Sequence, residues 1–190
     1  MEDAELKAYL SSSGAFLEGH FLLSSGLHSP NSVQCAQALK NPVWAEKMGA
    51  ALAAAWNRPK PDLILSPAMG GLFIGHEVAR ALGLEHIFTE RENNFMTLRR
   101  GFSIPRGVHV VIVEDVFTTG KSTLETAAVA KFYGAETVGA MSVINRMGDK
   151  TLPFPSFSLL TLDLTAYQPE DCPLCRAGVP VVKPGSRKFS

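Results

Sequence analysis

The sequence predicts an α/β fold, with a central, mostly parallel sheet flanked by helices and a small N-terminal subdomain. Three observations carry this. Short apolar runs rich in β-branched residues recur at 62–65, 86–89, 109–113, 137–145 and 157–164. Stretches of helical period stand between several of them, at 72–82 and 124–132. Turn residues mark the changeovers, and strands alternating with helices build a parallel sheet covered on both faces.

The first element is a short amphipathic helix over 2–10, with Leu6 and Leu10 one turn apart and Ser11-Ser12-Ser13-Gly14 as its stop. Two extended pieces, 19–23 and the stretch after Pro30, lie around Ser24-Ser25-Gly26. Asn41-Pro42 opens a long helix through Trp56. Asn41 caps it, and Pro42 takes the first position, where a missing N–H is harmless. After a break at 59–61, residues 62–65 form a buried strand, 66–71 a loop, and 72–82 a helix stopped by Gly83.

Residues 86–89 form the next strand. The segment 90–106 is charged and poor in pattern, and reads as an excursion from the sheet. Val110, Val111, Ile112 and Val113 then follow His109 as a buried strand closed by Glu114 and Asp115. A Thr/Gly/Lys/Ser loop leads into the helix at 124–132, and strands follow at 137–145 and 157–164. The tail from Tyr167 is rich in Pro, Gly and Cys and irregular. The chain therefore reads as one domain over 1–190, with an N-terminal subdomain to about 40, a core over about 41–165 and a tail at 166–190.

A chain of 190 residues builds one full core and is short for two. Hydrophobic residues make up 46% and charged residues 19%, the balance of a soluble globular protein with a large interior. Eighteen basic residues match eighteen acidic ones, so the chain lacks the basic excess of a general polyanion binder. Nucleic acid is not an expected partner, and phosphate recognition must be local. The N-terminus, Met1-Glu2-Asp3-Ala4-Glu5, is acidic, and no apolar run long enough to span a bilayer follows. The expectation is a cytoplasmic protein without a membrane partner.

Three cysteines, Cys35, Cys172 and Cys175, argue against a disulfide framework. Cys172-Pro-Leu-Cys175 has the spacing of half a zinc knuckle, but a four-ligand site needs two more donors. Cys35 and a histidine, or a second subunit, would have to supply them. A redox role would want the pair at a helix N-terminus in a thioredoxin-like unit, which this tail does not resemble. The plainer reading is a structural or incidental pair.

The most informative segment is 109–123. A buried strand, two adjacent carboxylates, a Thr/Gly/Lys/Ser loop and a helix place backbone N–H groups and a helix N-terminus where they hold an anion. Beside them the two carboxylates suit sugar hydroxyls or a metal ion. A phosphate and a polyol held together indicate a phosphorylated sugar. Gly120-Lys121-Ser122 also supplies the ending of a Walker A loop, but Asp115 occupies the place of that loop's first glycine, where backbone freedom matters most. An ordinary strand-to-helix turn capped by Thr119 or Ser122 would leave the paired acids without a partner, which is costly when they are buried.

This segment closely resembles the phosphoribosyl-pyrophosphate motif of the type I phosphoribosyltransferases. The resemblance implies their fold, with Glu114 and Asp115 on the ribose hydroxyls and the loop Val116, Phe117, Thr118, Thr119, Gly120, Lys121 and Ser122 around the ribose phosphate. Three further segments resemble the orotate phosphoribosyltransferases, and together they cover nearly the whole chain. Gly19-His20-Phe21-Leu22-Leu23-Ser24-Ser25-Gly26-Leu27-His28-Ser29-Pro30 is similar to the N-terminal hood that covers the base. Ser66-Pro67-Ala68-Met69-Gly70-Gly71-Leu72 is similar to the pyrophosphate loop, in which Ala68, Met69, Gly70 and Gly71 approach the anion. Asn145-Arg146 ends the strand after the phosphate-loop helix. The resemblance puts Arg146 on the orotate carboxylate, which its planar fork suits, and adds a base contact from Thr118.

The implied reaction displaces pyrophosphate from the anomeric carbon of phosphoribosyl pyrophosphate by a ring nitrogen of orotate, with inversion. Positioning and electrostatics carry such a step. Mg²⁺ is the implied cofactor, with Asp115 its partner directly or through water. A homodimer is the implied assembly, because the family's mobile catalytic loop closes over the neighbouring subunit's site.

Where that loop commonly carries lysines and a histidine, this chain offers Arg91, Arg99 and Arg100. Arginine neutralises a leaving pyrophosphate but does not donate its proton near neutral pH. The expected catalytic contribution of these three, with Asp115, is therefore anion stabilisation. Ser24 and Leu27 stand where the hood often shows Lys and Arg, and Asn145 where an acid often precedes the orotate arginine. The pieces 88–92 and 96–102 and the Cys-Pro-Leu-Cys tail are similar to a bacterial subgroup of the family. Two other readings stay open on the sequence: a phosphoribosyl-pyrophosphate-binding regulator or inactive paralogue, and a purine-type transferase.

Overall fold

The computed structural model describes residues 1–23 and 25–183; Ser24 of the hood segment lies outside them. Helix α1 (Asp3–Ser12) buries Leu6 and Leu10, as their one-turn spacing requires. Strands β1 (Phe16–Leu22) and β2 (His28–Val33) pair antiparallel in a sheet of their own. A short helix α2 (Cys35–Leu39) follows, unannounced by the sequence pattern. Helix α3 (Pro42–Ala55) starts as expected, with Asn41 Oδ1 accepting from the Val43 N–H at 3.0 Å and the Trp44 N–H at 3.4 Å.

The core then runs β3 (Leu63–Pro67), α4 (Gly71–Leu82), β4 (Glu85–Glu92), β5 (Phe95–Leu98), β6 (His109–Phe117), α5 (Lys121–Phe132), β7 (Glu136–Asn145) and β8 (Ser156–Thr161). The tail holds a 3₁₀ turn at Pro169–Asp171 and the short helix α6 (Pro173–Arg176). Six strands form one sheet in the order β5-β4-β3-β6-β7-β8, parallel except for β5. Side chains alternate across it. Ile64, Val111, Val113 and Met141 pack with Met48 and Leu52 of α3 and Ile74 and Val78 of α4. Leu63, Leu65 and Val110 face the other way, with Ala130 of α5. Burial on both faces explains why these strands read as unbroken apolar runs.

Several boundaries depart from the sequence reading. The supposed excursion at 90–106 is in its first part a hairpin within the sheet. Asn93 and Asn94 turn it with φ of 49° and 67°, and β5 pairs back along β4 from Glu92↔Phe95 to Thr89↔Leu98. Two asparagines at positive φ are a recognised hairpin signal, hidden here among charged residues. Strand β6 is not closed by its acids: it continues to Phe117, held by β7 through Val116↔Ile144 and Phe117↔Asn145. Helix α5 starts at Lys121 rather than at 124, and β8 ends at Thr161.

The tail docks on the hood. The Leu22 N–H donates to Val182 O at 2.9 Å, and the Val182 N–H to His20 O at 2.8 Å. His28 and Tyr167 exchange two backbone hydrogen bonds of 2.9 and 2.8 Å. Among the described residues, no helix is long and apolar enough to cross a membrane.

Candidate active site

The C-terminal ends of β3, β6 and β7 converge on one side of the sheet, where open α/β folds place their ligands. Strand β6 delivers Glu114 and Asp115, and the turn after it delivers Thr118, Thr119 and Gly120. Gly120, the N-cap of α5, takes a left-handed conformation, φ 75°, and has no side chain with which to cap the helix. The first-turn N–H groups of a helix have no intrahelical acceptor, and an end of this kind suits an anion. Thr119 Oγ1 accepts from the Lys121 N–H at 3.4 Å. A cavity of about 330 Å³ opens over this surface, lined by residues 114–118 and 120–123, by Arg146, and by residues 33–36.

Glu114 is 8% exposed. Burial, followed by the neighbouring Asp115 charge, pushes its carboxyl up to about 9. Burial also raises Asp115, against the Val116 N–H that donates to its Oδ1 at 2.8 Å. No cation pairs with either acid among the described residues. Two adjacent desolvated carboxyls are a poor resting arrangement and a good receptor for hydroxyl donors or a hard divalent cation. The donor set therefore fits Mg²⁺ together with a sugar.

The second loop comes from β3. The Ala68–Met69 peptide is cis, and the Ala68 N–H donates to Thr89 O at 2.7 Å. Gly70 lies against the acid pair: a Cβ there would stand 2.5 Å from Asp115 Oδ1 and 2.9 Å from Oδ2. A Cβ on Gly71 would meet Val113 O at 2.6 Å. The two glycines let one anion-binding loop touch the other. Ala68, Met69, Gly70 and Gly71 line neither this cavity nor the one below, and Met69 is 76% exposed.

Arg146 follows β7, and its N–H donates to Phe117 O at 2.8 Å, which ties it to the end of β6. Asn145 turns the chain by accepting from the Met147 N–H at 2.9 Å. The Arg146 Nε is buried and has no hydrogen-bond partner among the described residues. Desolvation lowers the guanidinium from its ordinary value. Arg146 lines the first cavity and also a second, of about 360 Å³, roofed by Leu22, Leu23, Ser25 and Leu27 of the hood. Thr118 lines both as well.

The three arginines at and after the β4–β5 hairpin lie elsewhere. Arg91 pairs with Glu125, Arg99 with Glu92 at 3.5 Å, and Arg100 with Glu90 through two hydrogen bonds of 2.7 and 2.9 Å. None of them lines either cavity. Lys121 Nζ lies 3.9 Å from Glu125 at the mouth of the phosphate loop.

Sequence reasoning missed the opposite walls. Gln34, Cys35 and Ala36, where β2 passes into α2, close the first cavity, and Lys150 and Lys183 reach the second. Burial, with the Asp115 charge, pushes the Cys35 thiol well up and keeps it neutral. No local pattern marks these residues, because the fold of the hood over the sheet brings them in.

A family model described as "Phosphoribosyl transferase domain" matches residues 39–173. An orotate phosphoribosyltransferase of Caldicellulosiruptor bescii is 47% identical, covering 92% of this chain and 92% of its own. One from Thermotoga maritima is 46% identical over 96% of this chain and 98% of its own. The crystal structure of an orotate phosphoribosyltransferase from Aeropyrum pernix shares the fold with a TM-score of 0.70, at 24% identity, covering 83% of this chain and 93% of that one.

Proposed function

The chain belongs to the orotate phosphoribosyltransferases, within the phosphoribosyl transferase domain family, and from that premise we propose how its own residues perform the reaction. The enzyme transfers the phosphoribosyl group of phosphoribosyl pyrophosphate to orotate, giving orotidine monophosphate and pyrophosphate, in pyrimidine nucleotide synthesis. The observation that carries the residue assignment is Arg146, a half-buried guanidinium whose buried Nε has no partner among the described residues, in the wall shared by two cavities. A partly desolvated cation with an unpaired buried donor favours an anion, and the orotate carboxylate would meet it bidentately.

The remaining roles follow from the two chambers. Glu114 and Asp115 accept hydrogen bonds from the ribose hydroxyls. The amides and hydroxyls of 116–122, at the α5 N-terminus, hold the ribose phosphate. The base lies in the second chamber beneath the hood, within reach of Thr118 and Arg146. Ala68, Met69, Gly70 and Gly71 present backbone to the pyrophosphate. Phosphoribosyltransferases generally use Mg²⁺ with phosphoribosyl pyrophosphate, and Asp115 is the residue proposed to hold it, directly or through water. The ion would supply positive charge to the pyrophosphate as it leaves.

Fixing the two substrates in adjoining chambers aligns the nucleophile with the anomeric carbon, and the loop dipoles meet charge that builds on the leaving group. Arg91, Arg99 and Arg100 are proposed to stabilise that charge across a homodimer. Phe95 on the same hairpin and Phe132 on α5 are 75% and 84% exposed, an apolar surface that a second copy of the chain would cover.

The direct test follows the loss of orotate absorbance with phosphoribosyl pyrophosphate and Mg²⁺. Turnover that needs all three is expected. Tight binding of phosphoribosyl pyrophosphate without orotate turnover would point instead to a regulator or inactive paralogue.

A further inference from the structure

The cysteine pair of the tail and two histidines of the hood meet in space. Cys172 and Cys175 flank and enter α6, His20 lies on β1 and His28 on β2. The four donor atoms lie within 4.8 Å of one another. His20 Nε2 is 3.0 Å from His28 Nδ1, 3.5 Å from Cys172 Sγ and 3.8 Å from Cys175 Sγ, and Cys175 Sγ is 3.2 Å from His28 Nδ1. A tetrahedral zinc ion, with bonds of about 2.0 Å to nitrogen and 2.3 Å to sulfur, sets ligand–ligand edges of about 3.3 to 3.8 Å. Four of the six edges match to within a few tenths of an ångström, and all six lie within 4.8 Å.

Two details separate this group from a chance cluster. His20 Nδ1 is 2.7 Å from Val179 O. A carbonyl is only an acceptor, so Nδ1 carries the proton and the Nε2 lone pair faces the other three donors. This is the outer hydrogen bond that orients metal-binding histidines. His20, His28 and Cys172 are 3%, 8% and 0% exposed, so three donors are buried, while Cys175 stands on the exposed side of the group. Two thiolates would neutralise the charge of a divalent ion there. An S₂N₂ set selects zinc over hard cations, and four protein ligands leave no open position for chemistry.

We propose that His20 Nε2, His28 Nδ1, Cys172 Sγ and Cys175 Sγ hold a structural zinc ion that clamps the C-terminal tail to the hood. Cys35, the other cysteine, lies on the wall of the first cavity and takes no part. The same β-hairpin carries Leu22, Leu23, Ser25 and Leu27 over the second cavity. The clamp is therefore a positioning device for the roof of that chamber, remote from the phosphate loop.

The test is metal analysis of the full-length protein purified with a reductant, followed by Co²⁺ replacement. About one zinc per chain is expected, with thiolate-to-cobalt charge transfer and the d–d bands of a tetrahedral site. Cys172→Ser and Cys175→Ser should bring zinc to background, while Cys35→Ala keeps it. If a serine variant does not fold, the cobalt spectrum of the unaltered protein decides. Absence of both stoichiometric zinc uptake and the charge-transfer band in that protein overturns the proposal. So does full metal retention in the two serine variants, which would place the ion elsewhere.

Discussion

Replacing Glu114 with Gln should stabilise the ligand-free protein while impairing its chemistry. The carboxyl titrates at about 9 in the folded chain against 4.5 as its ordinary value, chiefly because it is buried. Between those pH values the folded state binds more protons than the unfolded state, so Glu114 lowers stability as pH rises through that window. About 2.5 pH units separate 4.5 from neutrality. At about 1.4 kcal/mol per unit, the cost reaches about 3.5 kcal/mol at pH 7. Gln imitates the protonated acid at every pH and escapes that cost. Urea unfolding of both proteins, without Mg²⁺ or substrate, should show nearly equal stability near pH 4.5 and a widening gap in favour of Glu114→Gln up to pH 8. A gap that does not change with pH, or a variant less stable throughout, would refute the reasoning. The same variant should use phosphoribosyl pyrophosphate poorly, because the ribose hydroxyls lose one of the two carboxyl groups assigned to them.

Gly70→Ala is expected to fold, since φ −59° and ψ −43° suit alanine, but its Cβ would displace the Asp115 carboxylate. The KM for phosphoribosyl pyrophosphate should rise by about tenfold to a hundredfold, and an unchanged KM would remove Asp115 from that site. Arg146→Ala should lower kcat/KM for orotate by about a hundredfold and spare phosphoribosyl-pyrophosphate binding; equal losses for both ligands would contradict its assignment. His86 is held neutral, lowered to about 4 by burial and then by His76. Below pH 6.5 the unfolded chain gains a proton the folded one refuses, so up to about 3 kcal/mol of stability is lost towards pH 4. Denaturation of His86→Gln across that range should lack this acid limb, and a limb of the same depth would discount His86 as its source.

What the sequence made legible follows the reach of its signals. The Asn41-Pro42 start, the Gly83 stop and the buried run before Glu114 are set by neighbours in the chain, and all three stand in the structure. The hairpin at Asn93-Asn94 and the helix at Cys35–Leu39 escaped because charged or small residues diluted their period. The acid pair and the phosphate loop were readable because one strand-turn-helix segment carries them both. Gln34 and Lys150 were not, since only the packing of the hood on the sheet turns them toward the cavities. The histidine partners of the cysteine pair were beyond any local pattern, with His20 152 residues from Cys172.

The docking of the tail on the hood also sets an order of assembly. During synthesis β3 to β7 leave the ribosome as a contiguous set and can pair without the tail. The N-terminal hairpin emerges earlier, yet its partners Tyr167 and Val182 are among the later residues made. The earlier-made hairpin must wait, partly unpaired, for the later-made segment. The acid pair and the phosphate loop, carried by one strand-turn-helix segment, are thus made before the residues that fasten the roof over the base.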